Sequence, residues 1–281
     1  MSSRLFKAPF KGLFNRSVTS VAMALLASSL SVALLFISSC GTPTSKGLNL
    51  NIDALPEIVL WAWERNEDLR FINTKKVAIA YYAGTIYLKG DYAFLHPRMN
   101  PLRLSESAVR FPVFRIENAD ANNAIPERGS LKRASELVSE YVTRHNAPVV
   151  QIDYDARLNE RASYLSFLKL LRSQLPTRTS LSVTALLSWC LADKWLSKAP
   201  VDEAVAMAFS LGDGKTTLSR DLKGNVLNAG VSRQSLGACV DEKETNQVLR
   251  TTGVTPFSRR LYLFSSKPWS QKRLSKCLED L

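Results

Sequence analysis

Two aspartates, Asp153 and Asp155 in Gln151-Ile152-Asp153-Tyr154-Asp155, form the pair in this chain best spaced for acid/base chemistry. Side chains alternate along a strand, so the two share a face with Cα atoms about 6.5 Å apart. Like charges at that range separate their titrations, one carboxyl staying ionised and the other tending to hold a proton. Hydrolysis of a glycosidic bond uses two carboxyl groups in this way, about 5–5.5 Å apart for retention and about 6.5–9.5 Å for inversion. Glu64, Glu117 and Glu160 lie at comparable places, each just beyond an apolar run, and are the candidates for the second carboxyl partner. Trp63 and Trp189 offer flat apolar faces for a sugar ring, with Arg65 and Tyr154 as polar substrate contacts. The plainer use of these residues is structural. An Asp-x-Asp after a strand also serves as a helix cap or as a salt bridge to Arg65 or Arg157, a Glu beside an Arg is often an ion pair, and tryptophans more often pack than present a platform.

Other chemistries find less support. The chain has two histidines, His96 and His145, and no CxxC or Cys/His cluster, which excludes a zinc site of several His or Cys ligands. No metal or organic cofactor is implied. Cys190 has no motif tying either histidine to it as a base. Gly212-Asp213-Gly214-Lys215-Thr216 lacks the glycine spacing of a phosphate loop and reads as a turn. Of Cys190, Cys239 and Cys277, the pair Cys239–Cys277 is the expected disulfide, because it would staple the C-terminal segment.

The elements that must position these residues follow from apolar, β-branched runs alternating with helical patterns. Strands are predicted at 57–61, 77–81, 112–116, 149–153, 180–186, 203–208, 237–240 and 260–264, with 85–88 as a hairpin-like extension of the second. One helix, capped by Ser130, carries Leu131, Ala134, Leu137, Val138 and Tyr141 on one face. Another carries Tyr164, Leu165, Leu168, Leu171 and Leu175 until Pro176 stops it, and 270–281 makes a closing helix. Residues 89–110 and 211–236 lack helical periodicity. Eight strands in this length predict an α/β fold, a (β/α)8 barrel with irregular crossovers, with a doubly wound open parallel sheet as the alternative. In either, chemistry belongs at the C-terminal ends of the strands, where the acidic residues gather.

The first 39 of the 281 residues form a separate segment. Arg4, Lys7, Lys11 and Arg16 precede an apolar run from Val18 to Ile37, which ends in Ile37-Ser38-Ser39-Cys40-Gly41. A basic start, an apolar core, and small residues before a cysteine resemble a bacterial lipoprotein signal. The resemblance implies cleavage before Cys40, a lipid on that cysteine and membrane lipid as its partner, with 40–54 as tether and 55–281 as a single domain. Gly41 in place of Asp implies the periplasmic face of the outer membrane. The rival reading is an uncleaved anchor, as a spanning helix needs roughly 20 apolar residues. Beyond the segment, 37 basic residues less four leave 33 against 25 acidic, a net charge of about +8. That surplus is spread along the chain with no dense basic run, which argues against nucleic acid; a solvated surface is the plain explanation, with anionic lipid or an acidic polysaccharide as the ligand such a surface could face instead.

Several ordered motifs resemble the bacterial family called domain of unknown function 3142. They are Leu55-Pro56-Glu57-Ile58-Val59-Leu60-Trp61-Ala62-Trp63-Glu64-Arg65-Asn66-Glu67-Asp68-Leu69, Pro97-Arg98-Met99-Asn100-Pro101-Leu102, Val150-Gln151-Ile152-Asp153-Tyr154-Asp155-Ala156, Leu181-Ser182-Val183-Thr184-Ala185-Leu186-Leu187-Ser188-Trp189-Cys190 and Pro200-Val201-Asp202-Glu203-Ala204-Val205. The resemblance runs from Leu55 to the C-terminus. It implies an architecture similar to glycoside-hydrolase barrels and carries no catalytic residues with it.

Overall fold

The computed structural model describes residues 52–120, 124–191, 195–209, 235–242 and 260–279. The signal segment, Cys40, the tether up to residue 51, the 212–216 turn and nearly all of the 211–236 crossover lie outside these residues.

Eight parallel strands close into a barrel. In chain order, β1 (Ile58–Ala62), the small β2 (Glu67–Asp68), β3 (Val77–Lys89), β4 (Tyr92–Pro97), β5 (Leu102–Arg103), β6 (Arg110–Asn118), β7 (Val149–Asp153), β8 (Ser180–Leu186), β9 (Glu203–Met207), β10 (Ser235–Cys239) and β11 (Arg260–Phe264) are joined by helices α1 (Arg128–His145), α2 (Arg161–Gln174) and α3 (Leu187–Leu191) and followed by α4 (Gln271–Glu279). The barrel runs β1-β3-β6-β7-β8-β9-β10-β11, and β1 closes it by pairing with both β11 and β3. All eight predicted strands are present, and 149–153, 180–186 and 260–264 match to the residue. The open-sheet alternative fails because the sheet closes on itself.

Each strand has two buried faces. Outward residues such as Leu60, Ile79, Phe114, Ile152, Leu181 and Ala204 pack in one cluster with Val138, Leu168, Leu171 and Leu274 of the helices. Inward residues Val59, Trp61, Ala80, Val113, Val149, Val205 and Tyr262 form a second cluster inside the barrel. Period-2 alternation therefore sorts every strand side chain to the lumen or to the helical layer. This sorting keeps Cys239 from Cys277. Cys239 follows Ser235 and Gly237 on the inward face of β10, whereas Cys277 packs in the outer cluster from α4. Both are buried thiols and no disulfide joins them.

Helix α1 starts three residues earlier than predicted. Ser130 lies inside α1, donating its hydroxyl to the Glu127 carbonyl at 2.8 Å, and Glu127 holds the cap position. In α2, Tyr164, Phe167, Leu168 and Leu171 make the buried stripe, and Leu165 sits at its edge.

The stretch without helical periodicity at 89–110 contains a hairpin. β3 runs for 13 residues, past the barrel, and β4 folds back on it antiparallel from Lys89↔Tyr92 to Gly84↔Pro97. Gly90 turns the chain with φ +51°, a left-handed conformation that glycine adopts without strain, and its N–H donates to the Asp120 carboxylate at 2.9–3.0 Å. Gly84 permits the close approach of β4: a Cβ there would lie 2.5 Å from the His96 carbonyl oxygen and 3.0 Å from the Pro97 Cα.

The floor of the barrel, at the strand N-termini, is polar and buried, with Arg260 at its edge. Glu203 accepts hydrogen bonds from Ser182 Oγ (2.9 Å), Tyr262 Oη (2.6 Å), Arg260 Nη1 (2.5 Å) and Ser235 Oγ. Ser182 in turn accepts from Gln151 Nε2 at 3.0 Å, and Gln151 Oε1 accepts from the Trp61 indole at 2.7 Å. Ile52 crosses this floor, its N–H donating to Ser180 Oγ at 3.1 Å and its carbonyl accepting from Arg260 Nη2 at 2.5 Å.

Candidate active site at the barrel mouth

At the other end of the strands, one guanidinium organises the mouth. Arg115 stands on β6 directly opposite Asp153 of β7, and alternation places Glu117 on the same face. Arg115 Nε donates to Glu117 at 2.8 Å, Nη1 donates to Asp153 at 3.1 Å, and Nη2 lies 3.8 Å from Asp155. Thr184, on the neighbouring β8, donates its hydroxyl to the other Asp153 oxygen at 2.6 Å. The sequence pointed to Arg65 or Arg157 as partners for the aspartates; both are occupied elsewhere. Arg65 binds Glu67 at 2.5 Å and the Ser265 carbonyl at 2.9 Å, and the Arg157 side chain faces Glu160. Arg115 and Thr184 were visible in the strand patterns, two residues before Glu117 and one strand beyond Asp153. Only the register joins them to the pair.

Exposure divides the three carboxylates. The Asp153 side chain is 7% exposed, against 48% for Asp155 and 43% for Glu117. Burial, with the charge of Asp155 beside it, pushes the Asp153 carboxyl above its ordinary value, against the opposing pull of Thr184 and Arg115. Asp153 is therefore the buried member of the pair, and Asp155 and Glu117 are the members that a ligand can touch.

Glu64 and Glu160, expected as partners, do not join this group. Glu64 holds a loop: its Oε1 accepts from Asn100 Nδ2 (2.6 Å) and from the Asn100 and Met99 N–H groups (2.9 and 3.2 Å). Burial works to raise its carboxyl, yet these bonds and Arg98 hold it below its usual value. Arg98 reinforces the clamp, donating to the carbonyls of Trp63 at 2.7 Å, Ala62 at 3.2 Å, and Arg65. Two of the motifs quoted above, 61–65 and 97–102, thus meet as structure. Glu160 is buried and accepts from Asn118 Nδ2 (2.7 Å) and the Arg157 N–H (2.8 Å), which ties the β6 loop to the β7 loop.

The aromatic expectations separate in the same way. Trp63 lies at the rim, half-buried, 5.5 Å from Tyr82 ring to ring, and Met207, Phe209 and Phe264 are partly buried around the same opening. Trp189 is 1% exposed in the helical layer, packed on Trp195 at 5.0 Å with Arg161 over its ring at 5.8 Å. It follows a strand end but belongs to α3, which turns it away from the lumen. Tyr154, between two inward aspartates, necessarily points outward and packs edge-on against Tyr164 at 5.1 Å. Neither can touch a ligand in the mouth. Cys190 is fully buried behind the sheet. Among the described residues, no three His, Cys, Asp or Glu side chains gather as a metal site, and no helix is long and apolar enough to cross a membrane.

No family model and no curated protein matches the chain. Solved structures do. A putative chitinase A from Streptomyces coelicolor is similar over 80% of this chain and 96% of its own, with 9% identity and a TM-score of 0.53. The spore cortex-lytic enzyme SleL from Bacillus cereus is similar over 79% of this chain and 73% of its own (10% identity, TM-score 0.49), and a family GH18 chitinase from Chromobacterium violaceum over 74% and 78% (8%, 0.48). At such identities the likeness is one of fold: this chain has a closed (β/α)8 barrel like that of the Streptomyces coelicolor protein.

Proposed function

We propose that the protein is a glycoside hydrolase-like enzyme acting on a polysaccharide at the Arg115 mouth. The observation that carries this reading is the pair of exposed carboxylates, Asp155 and Glu117, held by one guanidinium at the strand C-termini beside the buried Asp153 carboxyl. In the proposed step, the Asp153–Asp155 pair supplies a proton through Asp155 to the glycosidic oxygen as the C–O bond to the leaving sugar breaks. Glu117, held in place by Arg115, takes a proton from the water that adds to the anomeric carbon. The net change is addition of one water across the bond. Trp63, Phe209 and Phe264, all partly buried, flank the opening with apolar ring surface suited to the C–H faces of a sugar. The test is release of new reducing ends from a panel of envelope and extracellular polysaccharides by wild type, Asp155→Asn, Glu117→Gln and Asp153→Asn. Activity kept by Asp155→Asn and Glu117→Gln would sink the assignment.

One observation favours a second reading, a non-catalytic carbohydrate-binding or envelope-assembly protein. All three carboxylates already converge on Arg115, as in a structural ion-pair knot. Binding of a polysaccharide by wild type without cleavage, unchanged by the three substitutions, would establish it.

We further propose that the protein works as a lipoprotein of the cell envelope, tethered through acylated Cys40 and belonging to the 3142 family; the basic-apolar-Ser-Ser-Cys segment and the ordered motifs support this. Incorporation of labelled palmitate that is lost in Cys40→Ala tests the tether.

A further inference from the structure

The β3–β4 hairpin projects beyond the barrel with two unlike faces. Ile86, Leu88, Ala93 and Leu95 face α1 and are packed in the outer cluster. The opposite face carries the paired residues Thr85↔His96, Tyr87↔Phe94 and Lys89↔Tyr92. Tyr87 and Phe94 are stacked, their ring centroids 5.3 Å apart and inclined by 26°, and Phe94 and Tyr92 are 52% and 79% exposed.

The register places this second face. β3 continues in parallel with β6, pairing Thr85 with Arg115 and Tyr87 with Glu117. Paired residues of adjacent strands share a face, so Tyr87, Phe94 and Tyr92 stand on the side of the sheet that carries Arg115 and Glu117. From Thr85 to Lys89 the wall rises about 14 Å at the usual rise per residue. That is longer than one sugar ring, and the wall starts at the carboxylates.

We propose that this face is a binding wall for the extension of a polysaccharide chain whose reactive bond lies at Arg115, which makes the ligand a polymer and not a mono- or disaccharide. The inference rests on the reading of the mouth as a glycan site and extends it outward. The composition of the wall fits a sugar chain, since ring faces meet the C–H patches of pyranose rings while His96 and Lys89 meet hydroxyl or carboxylate groups. Its aromatic surface costs little to keep exposed because Tyr87 and Phe94 already cover each other.

The experiment uses the full chain and the double variant Tyr92→Ala/Phe94→Ala, whose altered side chains are exposed and leave the packed face intact. Affinity electrophoresis through gels containing glycol chitin, galactomannan or alginate measures polymer binding, and vesicles of anionic phospholipid measure the competing occupant. Wild type should be retarded by at least one polymer, and the double variant should bind that polymer about tenfold more weakly, the value of half-covering two rings. New reducing ends released from the same polymer by wild type are scored beside them, so that loss of the wall and failure of the hydrolase reading give different patterns. Equal retardation of wild type and double variant overturns the proposal. So does a wild type that no polymer retards, and binding to vesicles alone that is lost in the double variant would reassign the face to lipid.

Discussion

Removal of Arg115 is the perturbation that bears most directly on the mouth. In Arg115→Met, Asp153 loses the Nη1 bond at 3.1 Å and keeps only Thr184, while Asp155 and Glu117 lose their cation. A hydrogen bond to a buried charge is worth about 1.5–3 kcal/mol. The two outer pairs are near half-exposed and add about 0–1 kcal/mol between them after solvent screening. The expected loss at pH 7 is therefore about 2–3 kcal/mol, which lowers Tm by roughly 5–10 °C for a domain of this size. The loss should depend on pH in a defined direction. The Asp153 carboxyl lies above its unfolded value in the folded protein, so the native state binds the extra proton. Its contribution is thus present below the unfolded value and is lost as pH rises through the folded one. Without Arg115 the folded value rises further, so the variant should approach wild-type stability in acid and fall away toward neutrality. Asp153→Asn in the same chain should recover most of the loss at pH 7, because the stranded charge is gone. The assay is thermal and urea unfolding of wild type, Arg115→Met, Asp153→Asn and the double variant from pH 4 to 8. A loss under about 0.5 kcal/mol, or one that is flat with pH and unrelieved by Asp153→Asn, would refute the view that Arg115 holds a buried carboxylate in place.

Three other outcomes follow from the same structure. Arg260→Met leaves Glu203 without its cation among Ser182, Ser235 and Tyr262 on the floor; it should cost about 3–5 kcal/mol in urea unfolding, with much of it returned by adding Glu203→Gln. Gly84→Ala puts a methyl 2.5 Å from the His96 carbonyl oxygen and should cost about 1–3 kcal/mol, read as faster amide exchange in β4 with the barrel strands unchanged. Glu64→Gln should loosen residues 97–102, measured as faster proteolysis there. The stability that Glu64 contributes in wild type is present above its unfolded value and is lost as pH falls through its lowered folded value.

The barrel was legible because each strand is a short apolar run between polar breaks, and runs such as Val149–Asp153 carry that signal entirely in local residues. The hairpin was half legible. Thr85–Leu88 reads as strand, but Tyr92–Pro97, with its exposed alternation and two prolines nearby, gives no core signal and becomes a strand only through Gly84 and Gly90. At the site, Asp153, Asp155 and Glu117 were found by their place at strand ends, and Trp63 likewise. Trp189 and Tyr154 failed for a reason of parity and of helix onset: one residue along a strand reverses the face, and α3 begins right after Leu186. Glu64 and Glu160 were misplaced because a carboxylate that fastens a loop looks, in sequence, like one that waits for a substrate. Arg115 escaped because its three partners lie 2, 38 and 40 positions away, and only the β6–β7 register brings them to it.

The stitching of Ile52 to Ser180 and Arg260 also gives the molecule a direction. Both partners are the first residues of their strands, so the chain enters the barrel from beneath, at the end opposite the Arg115 carboxylates. Force applied there would load Arg260, Glu203 and the first turns of β8 and β11 while leaving the mouth unloaded. A barrel held by that end presents its carboxylates and aromatic wall away from whatever holds it, as a cup standing on its base.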